Sequence, residues 1–73
     1  MKLQVKHDTL QRTWKTLSVS AKEFSTFDMY LHIAQYATDN QMNPDCIAIR
    51  SIDPETGNII RSMDSIATQN KRK

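Results

Sequence analysis

This 73-residue chain has one cysteine, one glycine, two prolines and one tryptophan. Each scarcity excludes something. A lone Cys46 cannot close an internal disulfide, and with two histidines it falls short of a standard four-ligand structural zinc site. A single Gly57 leaves no glycine-rich phosphate loop, and neither a nucleophile elbow nor a paired-carboxylate motif is present. No wholly apolar run is longer than Cys46-Ile47-Ala48-Ile49, whereas a membrane-spanning helix needs about twenty such residues. The first residues, MKLQVKHD, alternate polar with apolar and hold no apolar block of the signal-peptide kind. These features lead us to expect a cytoplasmic protein that is not an enzyme and needs no cofactor or metal. Its core would come from packing alone or be completed by a second subunit.

The charge that is present is unevenly spread, although the net value is only +2. Residues 1–22 hold Lys2, Lys6, Arg12, Lys15 and Lys22 against Asp8. Residues 23–64 reverse this, with seven acidic side chains against Arg50 and Arg61, and Lys71, Arg72 and Lys73 close the chain. A basic first third followed by an acidic middle is compatible with plain solubility. It is equally compatible with a basic face that meets an anionic partner.

Residues 25–42 read as the central helix. Ser25 and Asp28 offer a capping pair ahead of an apolar run, and Pro44 stands just beyond, where a helix should have stopped. Two apolar stripes share this segment. Phe27, Leu31 and Ala34 recur at helical spacing and are taken as the core side, while Met29, Ile33 and Tyr36 form a second stripe roughly opposite. A helix laid on a lone sheet needs about one apolar face. The second stripe is therefore expected to be covered by a terminal segment, left partly exposed, or used for a partner.

Either side of the helix the chain reads as strands. Leu3, Val5 and His7 alternate with Lys2, Gln4 and Lys6, the period of a half-buried strand. Residues 9–24 are rich in Thr, Ser and Val and favour a strand, with a turn near residues 8–11. Leu10, Trp14 and Leu17 at helical spacing keep a helix over residues 9–18 open. Cys46–Ile52 and Ile59–Met63 read as a hairpin around Asp53-Pro54-Glu55-Thr56-Gly57-Asn58, in which Gly57 accepts a left-handed conformation. The expected fold is α+β, with a small antiparallel or mixed sheet in the order β-β-α-β-β and the helix on one face. The alternative order is β-α-α-β-β. One compact domain over 1–64 is expected, followed by a frayed basic tail over 65–73. The expected core is Leu3, Val5, Leu17, Phe27, Leu31, Ala34, Ile47, Ile49 and Ile60.

Few residues invite chemistry. Asp28, His32, Gln35 and Asp39 make a narrow polar strip on the helix, in which His32 reads as an exposed histidine steadied by Asp28. Cys46 at a strand start reads as small apolar filler. Two binding functions remain. The first is a small protein-binding module, an accessory or inhibitory regulator of the kind phages and mobile elements encode. It would dock through Met29, Ile33 and Tyr36 onto an unidentified protein or a second copy of itself. The second is a nucleic-acid-binding module using Lys2, Lys6, Arg12, Trp14 and Lys15, with an aromatic among cations on a sheet. In that arrangement Arg12 and Trp14 share a strand face and Lys15 does not.

Overall fold

The computed structural model describes residues 1–71. Four strands form one antiparallel sheet: β1 (Lys2–His7), β2 (Lys15–Ser20), β3 (Ile47–Ile52) and β4 (Ile59–Met63). Their spatial order is β2-β1-β3-β4, so the two central strands are β1 and β3. Helix α1 spans Thr26–Asn40, a short 3-10 turn spans Pro44–Cys46, and helix α2 spans Ile66–Lys71. Residues 9–18 are thus loop and strand rather than helix, as their β-branched content favours. Cys46 belongs to the 3-10 turn, one residue before β3.

Local chemistry sets the boundaries. The Ser25 side chain accepts from the Asp28 backbone N–H, and the Asp28 carboxylate accepts from the Ser25 backbone N–H, so both halves of a capping box are present. At the other end Gln41 takes a left-handed conformation (φ 54°), and the backbone N–H of Met42 donates back to the Ala37 carbonyl at 2.9 Å. Gly57 adopts φ 77°, and its N–H donates to the Asp53 carbonyl at 2.7 Å, closing the β3–β4 turn.

The core contains Leu3 and Val5 from β1, Ile47 and Ile49 from β3, and Met29, Ile33, Tyr36 and Ala37 from α1. Each of the Leu, Val, Ile and Met side chains among them, fully buried, contributes roughly 1.5–3 kcal/mol. Leu17, Val19, Phe24, Met42 and Met63 pack around the edge of this cluster. The orientation of α1 is the reverse of the one expected from sequence. Phe27 and Leu31 are 73% and 55% exposed and Ala34 is exposed, while the Met29/Ile33/Tyr36 stripe lies inside. The buried positions run i, i+4, i+7, i+8, a complete core-facing stripe that ends on the small Ala37. The other stripe thins into Ala34 and Thr38. Ile60 is also exposed, because the register shifts by one residue where Ile52 pairs with Ile59 and Ser51 with Arg61.

The second correction concerns residues 65–71, where fraying was expected. Ser65 is 1% exposed and accepts from the Thr68 backbone N–H at 3.1 Å, while its carbonyl accepts from the Gln69 N–H at 2.9 Å. Its hydroxyl donates to the Asp8 carboxylate, and Thr68 Oγ1 donates to the same oxygen at 3.1 Å. A serine cap fastened to the end of β1 therefore holds α2 in place. The expectation for Arg72 and Lys73 lies outside the described residues.

Candidate functional site

Two surfaces stand out, on opposite sides of the sheet. The first is the outer side of α1. Phe27 and Leu31 project there, and Tyr30, 46% exposed, continues the apolar surface around the helix. It runs into a shallow hollow between Tyr30, Ala34, Pro44 and Ile66, also lined by Asp45 and Asp64. The other flank carries Asp28, His32, Gln35 and Asp39, where the Gln35 side-chain amide donates to Asp39 at 3.0 Å. Asp28 is held below the ordinary carboxylate value of 3.8, first by the Ser25 backbone N–H, then by the Ser25 hydroxyl, with a smaller pull from His32. Helix α1 contains no lysine or arginine. Its apolar outer face is bordered by carboxylates on both sides, with one cation at the first turn, where Arg61 Nη1 donates to Thr26 Oγ1 at 3.2 Å.

The second surface is the sheet face away from α1. Leu3, Val5, Ile47 and Ile49 turn toward the helix, so their neighbours Lys2, Gln4, Lys6 and Arg50 turn the other way. The Arg50 guanidinium carbon lies 4.2 Å from the centroid of the Trp14 ring, and Lys6 Nζ lies 5.8 Å from it. Arg50 Nε donates to Gln4 Oε1 at 2.8 Å, and Gln4 Nε2 donates to Thr16 Oγ1 at 3.1 Å. A row of side chains across β3, β1 and β2 is thus fastened together, with Trp14 against its cationic member. The helices leave this face uncovered. Helix α1 packs on the other face of β3, and α2 packs on the 3-10 turn.

The residues singled out from sequence divide sharply. Met29, Ile33 and Tyr36 are core and present no partner surface; the exposed stripe is the one assigned to the core. Of the proposed nucleic-acid residues, Lys2 and Lys6 share the open face, and Lys6 reaches Trp14 there. Lys15 pairs with the inward-facing Val5 and so belongs to the opposite side, and Arg12 is exposed in the β1–β2 loop. Arg50, the closest cation to Trp14, was missed. It lies 46 residues from Gln4 in the chain, and only its strand parity, shared with Ala48 and Ile52, hinted at an outward position. His32 meets Phe24 edge-on at 6.0 Å, and Cys46 is half-buried. Among the described residues no group of three or more metal-ligating side chains converges, and no helix is long and apolar enough to cross a membrane.

Compared with models of known families, with curated proteins and with solved structures, the chain matches none.

Proposed function

We propose that this protein is a small binding module that acts by docking, with the outer face of α1 as its contact surface. The observation that carries this reading is the exposure of Phe27, Tyr30 and Leu31 on one helix. With Ile66, 40% exposed across the hollow, they present on the order of 400 Å² of apolar surface. That is about half of one partner's share of a standard interface, enough for its apolar centre.

Charge selects the occupant. Asp28 and Asp39 border the stripe on one side, and Asp45 and Asp64 line the hollow on the other. Two copies packed antiparallel through α1 would bring Asp28 of one near Asp39 of the next, a like-charge juxtaposition. The partner that fits is a different protein, offering an apolar segment flanked by lysine or arginine.

A photo-crosslinking residue at position 31 tests this reading. Irradiation with host proteins, followed by mass spectrometry of the crosslinked peptide, should return an apolar sequence flanked by basic residues. The purified partner should then bind wild type but not Phe27→Asp. Recovery of this chain's own peptides would overturn the choice of occupant. A partner that binds Phe27→Asp as tightly as wild type would overturn the surface.

A further inference from the structure

We infer that the open face of the sheet binds single-stranded nucleic acid, a second site independent of the α1 surface. Lys2 and Lys6 of β1 and Arg50 of β3 stand on the two central strands and point the same way. None of the residues in the four strands is acidic. The other side chains facing outward from the strands are Gln4, Thr16, Ser18, Ser20, Ala48, Ile52 and Ser62, together with Ile59 opposite Ile52. Strand charges of one sign on an open face favour a polyanion.

Trp14 narrows the choice of polyanion. The Arg50 guanidinium carbon lies over its indole, 4.2 Å from the ring centroid, and Arg50 Nε is held by its bond to Gln4. Unpaired bases stack on aromatic rings and on guanidinium planes, and each such stack is worth about 1–3 kcal/mol. A bound strand would lay a base on this pair while Lys2 and Lys6 meet the phosphates beside it. Because Gln4 and Thr16 already hold Arg50 in position, little side-chain freedom remains to be lost on binding. A duplex fits less well. Its bases are stacked on one another, and a four-stranded sheet is too broad for a groove that admits a helix or a two-stranded ribbon.

The chain's only tryptophan is in the site, so its fluorescence reports occupancy directly. The full chain is titrated with oligothymidylate and oligouridylate of about twelve nucleotides, at about 50 mM and about 200 mM salt. Binding should quench Trp14, with a slope of log affinity against log salt near −2 for three cations at about 0.7 each. Lys2→Glu with Lys6→Glu should weaken binding by about tenfold or more. Phe27→Asp should leave it unchanged, which separates this site from the docking surface on α1. Backbone amide shifts in the wild-type chain need no variant and should map to β1, β3 and the residues around Trp14. The inference is overturned by absence of binding at the lower salt, by binding without quenching, or by shifts that map to α1. It is equally overturned if a duplex, polyglutamate or anionic phospholipid vesicles bind as tightly as the single strands.

Discussion

The side-chain amide of Gln11 donates to the hydroxyl of Tyr36 across 2.8 Å, joining the β1–β2 loop to the central helix. The other end of the same amide accepts from the His7 backbone N–H at 2.9 Å. His7 Nδ1 in turn accepts from the backbone N–H groups of Thr9 and Leu10, at 3.2 and 3.1 Å. Polar contacts thus fold the first part of this loop onto the core edge, and Tyr36 serves both as core filler and as an anchor for it.

Removing only that hydroxyl isolates the tie. Tyr36→Phe keeps the packing and leaves the Gln11 amide half-buried without its acceptor, so it should cost about 1 kcal/mol. Urea unfolding would show the loss, and amide exchange in residues 8–11 should quicken beyond the global change. A variant as stable as wild type with unaltered exchange would mean that the bond contributes nothing.

The orientation of α1 makes a paired prediction. Met29→Ala removes a fully buried side chain and should destabilise the fold by about 2–5 kcal/mol. Leu31→Ala, on the exposed stripe, should stay within about 0.5 kcal/mol of wild type. Thermal or urea melts of both variants would decide the matter, and the opposite ranking would mean the helix is rotated by half a turn.

Asp28 gives the fold one acid-sensitive contact. Its carboxyl is held below the ordinary value of 3.8 in the folded chain, so its contribution is present above that value. The contribution is lost as pH falls through the lower folded value, where the carboxylate accepts a proton and its bond from the Ser25 N–H weakens. Asp28→Asn should therefore be less stable than wild type at neutral pH, and the two should converge in acid. Urea midpoints at a series of pH values test this, and a constant difference across the series would contradict it.

Gly57 should be intolerant for a backbone reason only. A Cβ built there meets nothing within 4 Å, yet φ is +77°. Gly57→Val should cost about 1–2 kcal/mol. Gly57→Asn should recover part of this, since Asn tolerates the left-handed region better. Equal losses in the two variants would point to a cause other than backbone strain.

Much of the fold was legible because short-range rules decided it. The Ser25/Asp28 cap, the stop before Pro44, the Gly57 turn and the alternation of Leu3 and Val5 all act within a few residues. The outer stripe of α1 was misread because Phe27 and Leu31 are larger and more apolar than Met29 and Ala37. Hydrophobicity chose one side, and the sheet chose the longer stripe. The extra position, Ala37, was the available signal. Helix α2 was missed because its cap is completed by Asp8, 57 residues away. On the open sheet face, parity placed Lys6 outward, whereas Trp14 precedes β2 in the β1–β2 loop, where strand parity does not apply. No local pattern could bring Arg50 to them, since that meeting depends on β1 lying beside β3.

That same neighbourhood governs how the chain can acquire its shape. Strand β1 is made first, yet it pairs from Lys2 opposite Ile52 to His7 opposite Ile47 with a strand made two-thirds of the way along. The early β1–β2 hairpin is only two strands and would be marginal by itself. Leu3 and Val5 therefore complete their core only when Ile47 and Ile49 join the side chains of α1. The order of strands in space makes the central pairing a long-range one, and sheets built on such pairings fold more slowly than those built on local hairpins.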